Sequence, residues 1–315
     1  MKLGLIDLGS NSARMYLLRL EDGKFRILKR RRVMCRLSQG MGNKNLLQED
    51  AVSATIAVLT EFSRELARED AIPLGVATAA VRKAENRIEF LNRVRRETGI
   101  PLYVISGEAE AYFDFQGVLA ELPQLTDCLI CDTGGGSTEL ILCKNHAMSG
   151  KVSLSMGAMS LTERYGQRVL EGETELTAQL NGLPFLQEAM GLPLVGIGGS
   201  VCALFGLDHP REGASLNGYT FTPERVADLF AMLYSMKPAD RIALGVESGR
   251  ADTVCAGLFP ALLLLRKLQM PFLTLSTGGL REGIMAELEK ENPEFYVQNP
   301  KEFFEKYLDS KGILW

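Results

Sequence analysis

Histidine is scarce in this chain. There are two in 315 residues, His146 and His209, far apart and with no second cysteine pair to accompany Cys128-Leu-Ile-Cys131. Zinc sites are built from clustered Cys and His, so a structural zinc is not expected. The six cysteines appear without a secretory signal and read as reduced core residues, not as a disulfide framework. Cys128 and Cys131 themselves lie in an apolar run that reads as a buried strand. Clean long apolar runs are also missing: the uncharged stretch from Ala189 to Leu207, close in length to the ~20 residues of a membrane span, is broken up by Pro193 and by glycines and reads as strand, loop and helix start. The opening Met1-Lys-Leu-Gly-Leu-Ile-Asp7 puts an acid where a signal peptide carries its apolar core, so a cytoplasmic location with no membrane partner is expected. Neither sign of charge dominates, 35 Lys+Arg against 39 Asp+Glu giving −4, and nothing general points to nucleic acid. At 46% hydrophobic and 23% charged residues a disordered chain is excluded. The length suggests two domains, and the lack of a Ser/Pro linker suggests that they share a tight interface.

Glycine, by contrast, is abundant, 31 residues against an average of about 7%, and it clusters. The clusters are Asp7-Leu-Gly9-Ser10-Asn11-Ser12, Asp132-Thr-Gly134-Gly135-Gly136-Ser137-Thr138, Gly196-Ile-Gly198-Gly199-Ser200 and Ser276-Thr-Gly278-Gly279, each after a short apolar run. A strand that ends in glycines exposes backbone N–H groups without side chains in the way, which suits phosphate oxygens. Any tight turn has the same layout, so the number of such loops and their polar neighbours carry the argument, not any single one.

The first two clusters share Asp-x-Gly, and Asp7 and Asp132 are separated by about the length of one domain. After each loop the chain resumes in an apolar strand, Ala13-Arg-Met-Tyr-Leu-Leu18 and Thr138-Glu-Leu-Ile-Leu-Cys143, so each Asp-x-Gly is expected at the tip of a β-hairpin. Two similar halves side by side would aim both hairpins at one ligand, and a phosphate chain gripped from both sides fits that plan.

Elsewhere strands alternate with helices. Val52, Ile56, Leu59, Phe62 and Leu66 have helical spacing over 50–67, a strand follows at 73–77, a second helix at 86–98, a strand at 102–105 and a helix at 107–122. Further helices are expected at 174–180, 184–190, 223–233, 252–268 and 281–291. This is an α/β protein with mixed sheets. The predicted domains are 1–122 and 123–299, with a C-terminal helix over 300–315 crossing back onto the first.

Six segments, Ile6-Asp-Leu-Gly-Ser-Asn-Ser-Ala-Arg14, Ala77-Thr-Ala-Ala-Val-Arg82-Lys-Ala-Glu-Asn86, Ile105-Ser-Gly-Glu-Ala-Glu-Ala111, Asp132-Thr-Gly-Gly-Gly-Ser-Thr-Glu139, Gly249-Arg-Ala-Asp252 and Ser276-Thr-Gly-Gly-Leu-Arg-Glu-Gly283, resemble in this order the motifs of the exopolyphosphatase / guanosine pentaphosphate phosphohydrolase family. They span nearly the whole chain. The resemblance implies two ribonuclease-H-like domains of the actin, Hsp70 and sugar-kinase superfamily flanking a phosphate-binding cleft, a homodimer, and a short form without the C-terminal helical domain of longer members.

Removing a terminal phosphoryl group from a polyanion needs a divalent cation, donors around the phosphoryl oxygens and a group that orients or deprotonates water. Asp132 and Glu139, on opposite limbs of one hairpin, suit magnesium and its waters, and Asp7 is the matching acid of the first hairpin. The match to the family's Ser-Gly-x-Glu-Glu-Ala motif implies that Glu110 is the catalytic base, with Ala109 standing where that motif has its first glutamate. On physical grounds alone Glu108 and Glu110 could equally serve the dipole of a helix start. Gly9, Ser10, Asn11 and Ser12 with Gly134, Gly135, Gly136, Ser137 and Thr138 are candidate phosphate donors, and Arg14 and Arg82 supply forked charge. Gly198, Gly199 and Ser200 match the superfamily's adenosine loop and either line the substrate site or simply turn. Arg250, Asp252 and Arg281 lie in motifs assigned to packing. The run Lys29-Arg30-Arg31-Arg32 either tracks a long polyphosphate or is the solvated side of a strand.

The expected activity is metal-dependent release of orthophosphate from the end of inorganic polyphosphate, with guanosine pentaphosphate as a further substrate. A nucleotide-dependent kinase of the same superfamily and a non-enzymatic polyphosphate or alarmone sensor are the alternatives.

Overall fold

The computed structural model describes residues 1–208 and 213–307. The chain divides into two compact units, Met1–Glu110 together with the chain from Ile284 onward, and Ala111–Gly283. It passes from one to the other inside the helix Gly107–Glu121 and returns inside Leu280–Lys290.

The first unit is built on β1 (Lys2–Leu8), β2 (Ser12–Glu21), β3 (Lys24–Met34), β4 (Ile72–Ala77) and β5 (Leu102–Val104). They form one five-stranded sheet in the order β3-β2-β1-β4-β5. The β1–β2 and β2–β3 pairs are antiparallel, β1–β4 and β4–β5 parallel. The helical spacing read between Val52 and Leu66 corresponds to the helix Glu49–Arg68, whose apolar stripe packs on Ile6, Leu8, Met15 and Leu17 of the sheet. Each such side chain withdrawn from water contributes ~1.5–3 kcal/mol.

The second unit repeats the plan. Its strands are β6 (Cys128–Thr133), β7 (Thr138–Lys144), β8 (Ala147–Leu154), β9 (Leu194–Ile197), β10 (Thr220–Phe221) and β11 (Leu273–Leu275). The six-stranded order is β10-β11-β9-β6-β7-β8. Removing the two-residue edge strand β10 leaves β8-β7-β6-β9-β11, with antiparallel and parallel pairs in the same places as in the first sheet. Both units therefore have the ribonuclease-H-like arrangement, and the two Asp-x-Gly segments fall at equivalent turns, β1–β2 and β6–β7.

In the first unit Arg82 sits in a short helix, Ala79–Lys83. Two expectations need adjustment. Residues 184–190 form a 3-10 helix, Pro184–Ala189, not an α-helix. At the C-terminal end, the expected 300–315 helix begins as Pro300–Phe304 and tightens into a 3-10 turn at Glu305–Tyr307; Phe304 stacks on Tyr103 at 5.2 Å and Ser106 N–H donates to Tyr307 O at 3.4 Å. Residues 308–315 lie outside the described residues, as does His209. Cys128 and Cys131 are buried free thiols on β6, and His146 occupies the turn after β7 with φ of 59°. No helix among the described residues is long and apolar enough to cross a membrane.

Candidate active site

In the first unit the tip of the β1–β2 hairpin is fixed from behind. Gly9 N–H closes the turn onto Ser12 O at 3.1 Å. Cys35 and Arg36 N–H groups, just past β3, donate to Asn11 O at 3.1 and 3.0 Å, and Ser38 N–H donates to Ser10 O at 3.1 Å. With the tip carbonyls held this way, Ser10 Oγ, Asn11 Oδ1 and Ser38 Oγ are buried with no hydrogen-bond partner. Native proteins leave few buried polar atoms unsatisfied, and such atoms at a loop tip mark a place where water or a ligand completes the set.

Asp7, the last polar residue of β1, faces Arg14 across the ladder, and Arg14 Nη1 meets Asp7 Oδ2 at 3.1 Å. The acid read as a metal ligand is therefore already paired with the arginine read as a phosphate ligand. Close by, Ser106 accepts from Ala109 N–H through Oγ at 3.0 Å, capping the helix Gly107–Glu121 and setting Glu110 in its opening turn. Arg82 Nη1 donates to Glu110 Oε2 at 2.9 Å and to Ile105 O at 3.0 Å, and both side chains of the ion pair are 13% exposed. Burial pushes the Glu110 carboxyl above its ordinary value against the pull of the Arg82 guanidinium, and the Asp7 carboxylate pushes the same way as burial. The expected base is thus a buried acid with a raised proton affinity.

The second unit holds its hairpin tip by the same device. Ala158 N–H donates to Gly134 O at 2.9 Å, while Met159 and Ser160 N–H groups donate to Gly135 O at 2.8 and 3.3 Å, again from the segment that follows the third strand. Thr138 Oγ1 donates to Met156 O at 2.6 Å. A Cβ added at Gly9 would meet Ser12 O at 3.6 Å, and one at Gly134 would meet Ser137 O at 3.5 Å; the two turns are the same structure. Gly136 and Ser137 are buried within this tip. Asp132 and Glu139 are direct cross-strand partners. Glu139 is 1% exposed and accepts from Ser153 Oγ at 2.6 Å.

Gly198 follows β9 beside Asp132. Its φ of +93° is one L side chains rarely adopt, and a Cβ there would stand 2.9 Å from Asp132 Oδ1. The other two members of that cluster face elsewhere: the Arg250 guanidinium, forked onto Glu247, covers Gly199, and Ser200 is packed against Gly257. In the fourth cluster Gly278 and Gly279 lie against Gly117 of the helix Gly107–Glu121, so they serve close packing instead of lining a phosphate loop.

Among the described residues no three His, Cys, Asp or Glu side chains gather as a metal site. The opposed pair Asp132 and Glu139 still fits magnesium, which keeps several waters and needs one or two protein carboxylates beside substrate phosphate. The room left by Gly198 at Asp132 Oδ1 is in keeping with that. The bracing segments 35–38 and 157–160 went unread in the sequence because their function is backbone bonding, which residue types do not announce. The Ser106 cap was findable, since Ser three residues ahead of a helical position is a start signal.

A family model described as the Ppx/GppA phosphatase family matches residues 17–292. Among solved structures, the exopolyphosphatase from Cytophaga hutchinsonii ATCC 33406 is 23% identical with a TM-score of 0.83, over 92% of this chain and 98% of that one. The Aquifex aeolicus Ppx/GppA family member is 29% identical with a TM-score of 0.73, over 93% of this chain and 99% of that one. The type II variant of the Aquifex aeolicus Ppx/GppA phosphatase is 28% identical with a TM-score of 0.68, over 91% and 99%. With a match over most of its length, this chain belongs to the Ppx/GppA phosphatase family.

Proposed function

We propose that the protein is an exopolyphosphatase that releases orthophosphate from the end of inorganic polyphosphate and cleaves the 5′-terminal anhydride of guanosine pentaphosphate by the same chemistry. The observation that carries this reading is the buried Glu110 carboxylate, held by Arg82 at 2.9 Å beside Asp7. A carboxylate with raised proton affinity is the better base for water at neutral pH.

In this mechanism the amides of Gly134 to Thr138 with the Ser137 hydroxyl in the second unit, and the amides and hydroxyls of Gly9 to Ser12 in the first, are donors to phosphate oxygens. Glu110 takes a proton from the water that attacks phosphorus. The bond from that phosphorus to the bridging oxygen breaks, and the shortened chain leaves with the electron pair on that oxygen, where Arg14 offsets the charge. Arg82 keeps the Glu110 carboxylate oriented and ionised between turnovers. Asp132 and Glu139 would hold a divalent cation, whose positive charge would offset that of the phosphoryl oxygens. The reading also takes the protein as a homodimer, on the family resemblance, and as cytoplasmic, on the acid within its opening residues, with no nucleic-acid or membrane partner.

Orthophosphate release from polyphosphates of defined length and from guanosine pentaphosphate, with and without magnesium, tests this for the wild type and Glu110→Gln. The substitution is expected to lower kcat by ~10²–10⁴ while substrate binding, followed by calorimetry, persists. Wild-type turnover in Glu110→Gln, or no release by the wild type, would overturn it.

A further inference from the structure

The basic run Lys29-Arg30-Arg31-Arg32 lies on β3, and the two-residue alternation of a strand sorts it onto two faces. Lys29 and Arg31 turn toward the helix Glu49–Arg68. Lys29 Nζ reaches Glu65 Oε1 at 2.7 Å, and Arg31 reaches Glu65 Oε2 at 2.9 Å and Glu61 Oε2 at 3.2 Å. The Arg31 guanidinium also stands 5.3 Å from the Phe62 ring centre. These two cations tie sheet to helix.

Arg30 and Arg32 belong to the other face. There the register sets Arg32 opposite Arg14 and Arg30 opposite Tyr16, while Arg14 is opposite Asp7. Residues directly opposite one another share a face of the sheet. One rung therefore runs Asp7–Arg14–Arg32 across three strands, from the candidate site to the edge strand β3. Arg30 continues the positive line along that edge, and both Arg30 and Arg32 are exposed. Adjacent strands are ~4.8 Å apart, so a continuous anion leaving Arg14 stays within reach of the next guanidinium.

We infer that Arg32 and Arg30 form a second binding segment for the internal phosphates of a long polyphosphate whose end lies at the Asp7–Arg14 hairpin. This rests on the exopolyphosphatase reading and assigns to one half of the basic run a part in chain-length preference. An inorganic polyphosphate carries charge on every unit, so a row of cations adds affinity only to chains long enough to reach it, and added salt weakens that gain.

The two faces supply an internal control. Arg30→Gln/Arg32→Gln and Lys29→Gln/Arg31→Gln remove the same charge from the same strand on opposite sides. The quantity to measure is kcat/KM on long-chain polyphosphate divided by kcat/KM on tripolyphosphate, within each protein, a ratio that cancels any loss of folded enzyme. The ratio is expected to fall about fivefold or more in Arg30→Gln/Arg32→Gln and to stay at the wild-type value in Lys29→Gln/Arg31→Gln. A wild-type ratio in both, or an equal fall in both, would overturn the inference. If the wild type releases no orthophosphate even from tripolyphosphate, the enzymatic reading fails separately. Fluorescence titration with long-chain polyphosphate then tests the segment by the same comparison of the two double variants. Competition by single-stranded DNA that equals long polyphosphate and depends on Arg30 and Arg32 would overturn it in favour of a nucleic-acid surface.

Discussion

Arg82 and Glu110, 28 positions apart, form an ion pair at 2.9 Å that leaves each side chain 13% exposed. Arg82 does two things through one nitrogen, since Nη1 also holds Ile105 O at 3.0 Å. The carboxylate is thereby tied to the end of β5 as well as to its own helix.

The pH profile should report this pair. Burial raises the Glu110 carboxyl, while Arg82 favours its charged form. Below the folded-state pKa the carboxyl is protonated and cannot accept from water, so kcat/KM falls as pH drops through a value above the ordinary carboxylate range. Arg82→Gln removes the group that favours ionisation, so the acid limb is expected to move to still higher pH, with kcat reduced as well. An acid limb at the same pH in wild type and Arg82→Gln would contradict the pairing.

Gly198→Ala tests the space beside Asp132. The position combines a φ of +93° with a Cβ contact of 2.9 Å to Asp132 Oδ1. An L residue there costs ~1–3 kcal/mol in backbone strain, visible as a lower midpoint in urea unfolding. The displaced carboxylate is expected to lower activity by more than that loss of stability explains. Activity that follows only the folded fraction would count against a role for Asp132.

Metal dependence should separate the two acids of the second hairpin from Asp7. Asp132→Asn and Glu139→Gln are each expected to raise the magnesium concentration for half-maximal activity by ~10–100-fold, and chelator should abolish wild-type turnover. Asp7 is paired with Arg14 at 3.1 Å, so Asp7→Asn is expected to raise KM by loosening Arg14, with a smaller change in the magnesium requirement.

A stability prediction concerns Glu65. Burial opposes its ionisation, but hydrogen bonds from Lys29 and Arg31 outweigh it and hold the carboxyl below its usual value. A depressed carboxyl contributes stability that is fully present above the unfolded-state pKa and is lost as pH falls through the folded-state one. Glu65→Gln is therefore expected to cost about 1 kcal/mol at pH 7, after allowance for the exposure of both cations. Denaturant melts of the two proteins should converge toward pH 3.

Periodicity and glycine spacing were enough to read the helix Glu49–Arg68, the hairpin strands and the duplication, because each is a local pattern with a burial consequence. The pairing of Asp132 with Glu139 followed from the hairpin itself. The Asp7–Arg14 pair was equally open to that reasoning, since both flank the first turn. What stayed hidden depended on partners distant in the chain: the division of Lys29-Arg32 between two faces, the Arg250 guanidinium over Gly199, and the hold of segments 35–38 and 157–160 on the hairpin tips. The edge strand Thr220–Phe221 is two residues long and leaves no pattern to find.

The way both tips are tied from behind has a thermodynamic consequence. Ser10, Asn11, Gly134 and Gly135 have their carbonyls fixed by backbone donors, so these turns are preorganised and little chain entropy remains to be lost when an anion arrives. Affinity should then have a mainly enthalpic signature, and a substitution behind a tip, such as Gly157→Ala, whose Cβ would stand 2.5 Å from Ser137 N, would weaken binding from a position that never touches the ligand.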